Sequence, residues 1–194
     1  MKKLINILII LTLLVSCSPT RQLGAGVKIS IDPRTIGMQI DDSIMQKNLQ
    51  ARLALKEKKY LLTLQVEVLD GRIFLAGKVD SSEEKVKVTK MAWETKGVRS
   101  VNNAINIKKA NSDLKSTAKD ILITSQLRTA LIFNKKTFSR NYTLETINKS
   151  IYIFGIAMDA DEKAEVINEA NKIYDAEKVI PSIYLVSDLS RNKK

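Results

Sequence analysis

This 194-residue chain has no histidine at all, and it has a single cysteine. Without imidazole there is no imidazole base, no imidazole zinc ligand and no Ser-His or Cys-His nucleophile pair. One cysteine excludes a disulfide within the chain. Carboxylates are present, but no two of them stand in a recognisable acid/base pair. The seven glycines are scattered at turns and form no phosphate-binding loop. These absences point away from an enzyme and away from a resident metal or cofactor. Long apolar runs are scarce too: the longest, Leu4–Val15, is about a dozen residues against the roughly 20 a spanning helix requires.

That one run ends in the one cysteine. Lys2 and Lys3 precede it, only Asn6 and Thr12 interrupt it, and Leu14-Val15-Ser16-Cys17 closes it. Charge, apolar stretch and cleavage site follow the layout of a secretory signal, and the last four residues resemble a bacterial lipobox. The reading predicts removal of residues 1–16 and acylation of Cys17 on its thiol and its new amino group. No thiol would then remain in an oxidising compartment. A single acyl chain binds marginally, at about 0.8 kcal/mol per buried methylene, so three chains would hold the protein on its membrane permanently. Ser18 follows the cysteine, where an aspartate would resemble an inner-membrane retention signal. The expected location is the outer membrane, lipid-anchored and facing the periplasm.

The chain is basic, with 32 Lys and Arg against 21 Asp and Glu; loss of Lys2 and Lys3 leaves 30 against 21, an excess of 9. A basic protein beside a membrane suggests anionic headgroups as partners, and the compartment argues against nucleic acid.

The mature chain repeats itself. An offset of 78 maps Met45, Leu49 and Leu53 onto Ile123, Leu127 and Leu131; Ile73, Leu75 and Gly77 onto Ile151, Ile153 and Gly155; and Val101, Ile105 and Ile107 onto Val179, Ile183 and Leu185. Each copy reads as a helix (42–55 and 116–133), two strands, a second helix and a last strand. Leu62, Leu64, Val66 and Val68 alternate before the Asp70-Gly71 turn, a strong hairpin signal. Asn148-Lys149-Ser150 is its weaker twin. Ser81 with Glu84 fits a capping box, and Asp42 is expected to cap the first helix. Trp93 is expected to be packed away, in a core or at the domain interface.

The αββαβ order, the strand ending at Gly77 before a helix, and Gly97-Val98-Arg99-Ser100-Val101-Asn102-Asn103 together resemble the BON domain. The second copy departs from this, since Asp175-Ala176-Glu177-Lys178-Val179-Ile180-Pro181 lacks the glycine and both asparagines. The segment Asp32-Pro33-Arg34-Thr35-Ile36-Gly37-Met38-Gln39-Ile40-Asp41-Asp42 resembles the same stretch of outer-membrane lipoproteins with two BON domains. The expected fold is α+β: two tandem BON domains, each a small mixed three-stranded sheet with two helices on one face. The expected divisions are a signal at 1–16, a lipidated tether at 17–41, one domain at 42–109 and a linker at 110–117. A second domain at 116–187 and a basic tail at 188–194 follow. Docking of Asp32-Pro33-Arg34 on a domain would set how far the protein stands from its membrane.

The resemblance implies a binding module with no catalytic residues. It further implies contact with anionic phospholipid, phosphatidylglycerol or cardiolipin, through the first helix of the second domain, and a role in envelope integrity. An adaptor for an envelope protein partner is the alternative. The helix itself can be read directly. Ile123, Leu127, Ala130 and Leu131 form its core stripe. The rest of its surface carries Ile121, Leu122, Ser125, Arg128, Thr129, Ile132 and Phe133, with Lys115 and Lys136 nearby. The first copy has Ser43, Ile44, Lys47, Gln50, Ala51, Ala54 and Leu55 at those positions, a more polar set. Apolar residues with basic flanks suit a helix lying in a lipid interface, but the same face would also suit burial against the first domain. Leu122 stands where the lipoproteins it resembles have a tryptophan, and Phe133 and Phe138 are the nearby aromatics.

Overall fold

The computed structural model describes residues 32–108 and 114–189, with Leu114 and Lys115 described by backbone only. The signal segment, Cys17 and most of the expected tether lie outside the described residues, as do the linker core and the last five residues.

The elements run α1 (Ile36–Lys56), β1 (Leu64–Leu69), β2 (Arg72–Val79), α2 (Ser82–Trp93) and β3 (Ser100–Ile107), then α3 (Leu114–Phe133), β4 (Tyr142–Ile147), β5 (Ser150–Ala157), α4 (Ala160–Asn171) and β6 (Lys178–Leu185). Each half is therefore αββαβ. In both sheets the middle strand pairs antiparallel with the first and parallel with the third. Strand alternation sends Val66, Val68, Ile73 and Leu75 toward Leu49, Leu53, Val88 and Ala92 of the helices, and Ile105 joins them from β3. The second half repeats this around Ile123, Leu127, Leu144, Ile151, Ile153 and Val166.

Both hairpin turns place their two central residues at positive φ: Asp70 (52°) with Gly71 (71°), and Asn148 (50°) with Lys149 (61°). This is the turn that matches strand twist, and a lysine there is strained. One buried carboxylate per unit holds each turn. Asp42 accepts from the Asp70 and Gly71 amides at 2.7 and 2.9 Å. Asp120, 78 residues later, accepts from the Asn148 and Lys149 amides at 2.9 Å each. Gly77 and Gly155 are also equivalent, and a Cβ at either would strike the chain where it enters the preceding strand, at Thr63 and Leu64 or at Asn141 and Tyr142. Asp175 takes the positive φ (68°) that Gly97 takes (85°) in the first copy.

Four sequence expectations need correction. The first helix begins at Ile36, so the supposed tether already belongs to the fold from that point. Its cap is Thr35, whose hydroxyl accepts from the Met38 amide. Asp42, in the second helical turn, is a turn clamp and not an N-cap. Its other oxygen contact is Arg34, at 2.7 Å, which also donates to the Val68 carbonyl and pairs with Asp32. Burial raises the Asp32 carboxyl pKa, but the Arg34 hydrogen bonds outweigh it and the net shift is downward. Trp93 is 52% exposed, because α2 ends there and its core stripe is met by Val88 and Ala92. Leu189, assigned to the tail, is fully buried. The Ser81–Glu84 capping box is present and Asp159–Glu162 repeats it: the Glu84 and Glu162 amides donate to Ser81 and Asp159, while their carboxylates reach back to the amides of Asp80 and Met158.

The two units meet through the sheet faces that carry no helices. Phe74, Ala76 and Ala104 of the first sheet bury against Ile147 and Phe154 of the second. The Phe74 and Phe154 rings stack at 5.1 Å, 10° from parallel, and Tyr184 meets Phe154 edge-on at 6.2 Å. The Tyr184 hydroxyl accepts from the Asn102 amide at 2.9 Å, and the Arg72 guanidinium lies 4.3 Å over its ring. The result is four layers, helices, sheet, sheet, helices, with α1 and α3 in opposite outer layers.

Phe154→Ala removes a fully buried stacked ring and should cost about 3–5 kcal/mol. Urea unfolding of the chain from residue 18 should then separate into two transitions, one per unit; a single transition merely shifted would refute independent folding of the halves. Asp42→Ala leaves two buried turn amides without their acceptor and takes one of two carboxylates from Arg34, and should cost about 3 kcal/mol in the same assay.

Candidate functional site

Helix α3 contains neither glycine nor proline, and it is fixed along its length. Ile123, Leu127 and Leu131 are at most 1% exposed. Thr124 and Thr146 share a hydrogen bond of 2.8 Å between helix and β4. At the C-terminal end the Thr137 hydroxyl donates to the Leu131 carbonyl, and the Asn134 side chain reaches Glu165 and Glu169 of α4. These contacts set the helix rotation, and rotation decides what faces out.

All seven sequence-selected residues are exposed: Ile121 (62%), Leu122 (56%), Ile132 (60%) and Phe133 (80%), together with Ser125, Arg128 and Thr129. At 100° per residue six of them share an arc opposite the core stripe and Arg128 flanks it. The arc runs about 18 Å from Ile121 to Phe133 at 1.5 Å per residue. Lys119, Lys135 and Lys136 are exposed beside it. The one acid between residues 116 and 138 is Asp120, and its oxygens are taken by turn amides. The outward surface of α3 is thus apolar, hydroxylic and cationic. The side chain of Lys115, expected at its edge, lies outside the described residues. Phe138 is half-buried, its backbone amide bonded to Glu162.

The first unit leaves this face uncovered because the domains meet by their sheets. Only its near edge, at Ile121 and Ser125, borders a cleft of roughly 430 Å³ shared with Leu62, Thr63, Lys78 and Lys108. Repeat geometry accounts for the cleft. On the opposite flank Met38, Ile156 and Leu189 bury one another, with Val186 alongside. Residues 78 earlier than Ile156 and Val186 are Lys78 and Lys108, and Ser116 stands where Met38 does. One flank is sealed by apolar side chains; its twin stays open, with lysines where the plug residues would stand.

Sequence reasoning missed one feature. With its true start at Ile36, α1 also exposes Ile36, Ile40, Ile44 and Leu55, so the first copy is not the more polar twin. The i, i+4, i+8 spacing of the isoleucines was the available signal, hidden by assigning residues 36–41 to a tether.

Glu145 lies on the cleft wall, half-buried. Burial pushes its carboxyl pKa up, Asp120 adds to this, and Lys78 and Arg128 oppose it. A carboxyl raised in the folded state favours folding while neutral and loses that benefit as pH rises through its folded pKa. Glu145→Gln should therefore stabilise the protein at pH 7 and have little effect near pH 4, compared by thermal melting at both values. Equal effects at both would refute the titration account.

Comparison with known proteins identifies the first unit. Residues 41–109 match the BON domain. The chain is 30% identical over 123 residues to a protein of Anaplasma centrale named "Uncharacterized protein in gshII 5'region", covering 63% of this chain and 82% of that one. It is 25% identical over 159 residues to the outer membrane lipoprotein DolP of Haemophilus influenzae, covering 81% of each. It is 23% identical over 158 residues to the osmotically-inducible protein Y of Escherichia coli, covering 81% of this chain and 78% of that one.

Proposed function

Because the chain belongs to the BON-domain family, we propose that it is a lipid-anchored, non-enzymatic binding protein of the outer membrane that faces the periplasm and grips anionic phospholipid through α3. The similarity to an outer membrane lipoprotein supports the location, together with the Leu14-Val15-Ser16-Cys17 segment, on which Cys17 would be acylated. The observation that carries the lipid contact is the solvent-facing arc of Ile121, Leu122, Ile132 and Phe133, bordered by Arg128, Lys135 and Lys136, with no exposed acid among them.

The physics of such a helix is a two-part affinity. Apolar side chains entering the acyl boundary each contribute up to about 1.5–3 kcal/mol when fully buried, and each cation near an anionic surface adds about 1 kcal/mol. Leu122 lacks an aromatic ring for the headgroup level, so Phe133 at the helix end is the interfacial aromatic of this chain. The anchor holds the protein at the surface, and α3 then sets which side of the domain pair lies on phosphatidylglycerol or cardiolipin. By occupying the lipid surface in a fixed pose, the protein contributes to envelope integrity.

Flotation of residues 32–194, without the acyl anchor, on vesicles of graded phosphatidylglycerol content tests this. Binding should rise with anionic lipid and weaken with salt. Leu122→Glu with Ile132→Glu should lower it by at least about tenfold, since two inserting side chains are lost. Absence of binding at low salt would leave the acyl chains as the sole membrane contact and favour a tethered adaptor for an envelope protein.

A further inference from the structure

By its spacing Leu62 belongs to the alternating series that enters β1, yet it is 91% exposed, and Leu61 before it is 60% exposed. Both sit on a short helical turn, Tyr60–Thr63, that leads from α1 into β1. Tyr60 is buried in the core of the first unit, and successive residues of a helical turn stand 100° apart. Leu61 and Leu62 are therefore carried round to the outside. The turn is held in that rotation, since the Tyr60 amide donates to the Glu57 carbonyl and Lys59 reaches Glu84 of α2 at 2.7 Å. Almost nothing of Leu62 is given to the core.

Two observations identify what the leucines face. The first is place. Leu62 lines the same cleft as Ile121 and Ser125, the two residues at the near edge of the α3 arc. A flat surface laid on Ile121 and tipped toward the cleft comes to rest on Leu62 as well. The second is the repeat. Residues 78 later than Leu61 and Leu62 are Ser139 and Arg140, on the matching turn Ser139–Asn141 of the second unit. By the correspondence that relates the two flanks, that turn belongs to the sealed flank, away from α3. The turn is apolar only in the copy that adjoins the lipid-facing helix. Charge adds little here: Lys59 and Lys108 both pair with Asp80, and Lys78 stands 3.9 Å from Asp120. What the turn contributes is apolar area. Leu61 and Leu62 on one lip, with Ile121 and Leu122 on the other, make an exposed apolar patch around a polar cleft, a form that suits a membrane surface.

We propose that the Tyr60–Thr63 turn is a second membrane foot, which inserts Leu61 and Leu62 into the bilayer surface on which α3 rests. The proposal depends on the lipid reading of α3 and adds what one helix cannot supply. A helix lying in an interface is free to roll about its own axis. A second apolar point across the cleft stops that roll on the side of Ile121 and Ser125. Both units then touch lipid, and the mouth of the cleft is turned toward the headgroups.

The test uses the chain from residue 18, which keeps both units, lacks the acyl anchor and contains no cysteine. Leu62→Cys and Arg140→Cys each carry a nitrobenzoxadiazole label on the single thiol and are mixed with phosphatidylethanolamine–phosphatidylglycerol vesicles. The label at 62 should shift to the blue and be quenched by lipids spin-labelled high on the acyl chain; the label at 140 should stay in water. Without a label, Leu61→Ser with Leu62→Ser should lower vesicle binding about tenfold, as two apolar side chains leave the interface. Its salt dependence should be unchanged, because no charge is removed. Both positions are exposed, and an unchanged melting temperature verifies the fold. A label at 62 as wet as that at 140, or serine variants that float like the parent, would overturn the second foot. The α3 reading would survive that result if Leu122→Glu with Ile132→Glu still abolished flotation. Failure of the unsubstituted chain to float at low salt would overturn both readings together.

Discussion

The burial of one sheet face against another is the contact on which the rest of the molecule depends. An αββαβ unit covers one side of its three strands with two helices and leaves the other side bare. At this size its core is thin, and a bare apolar sheet would be a liability in water. Here each unit supplies the missing layer of the other, with Phe74 and Phe154 stacked at the centre. The arrangement explains why an aromatic pair and two alanines, Ala76 and Ala104, occupy the positions that would otherwise be solvated.

Everything about the exterior follows from that choice. Because the sheets take the interior, the four long helices lie on the outside and each presents a full face to its surroundings. Polar residues cover most of that area on α2 and α4, and α1 and α3 do not conform. Their outward residues are apolar in arcs that the fold neither needs nor hides. The repeat then diverges along its flanks: apolar plugs on one side, lysines and a cleft on the other. Duplication produced the frame, and divergence of a few surface positions gave its two flanks different surfaces.

Much of this was visible in the residues. The offset of 78 and the Asp70-Gly71 turn specified the order of elements, and hydrophobic spacing separated the core stripe of α3 from its outward face. The orientation of the two units was not visible, because strand alternation marks Phe74 and Phe154 as lying on a face without saying what covers it. Asp42 misled for a physical reason. An aspartate ahead of an apolar-periodic segment satisfies the rule for an N-cap, yet its actual partners are amides 28 and 29 residues away in sequence. No local pattern reports such a contact, although the recurrence of aspartate at position 120 was a usable hint. Trp93 was misplaced by its size alone, since on the last turn of α2 it stands about 100° past the buried Ala92.

The clamp at Asp42 also has a mechanical side. The described chain begins at Asp32, whose carboxylate holds Arg34, and Arg34 in turn grips Asp42 and the Val68 carbonyl at the end of β1. Four residues further on, Met38 is wedged against Ile156 and Leu189 of the other unit. Tension arriving from the N-terminal side is therefore delivered at the seam of the two units. It is divided between a helix, a strand and the neighbouring sheet at once, and does not peel a single helix from one end. A leash fastened at the seam loads the pair as one body.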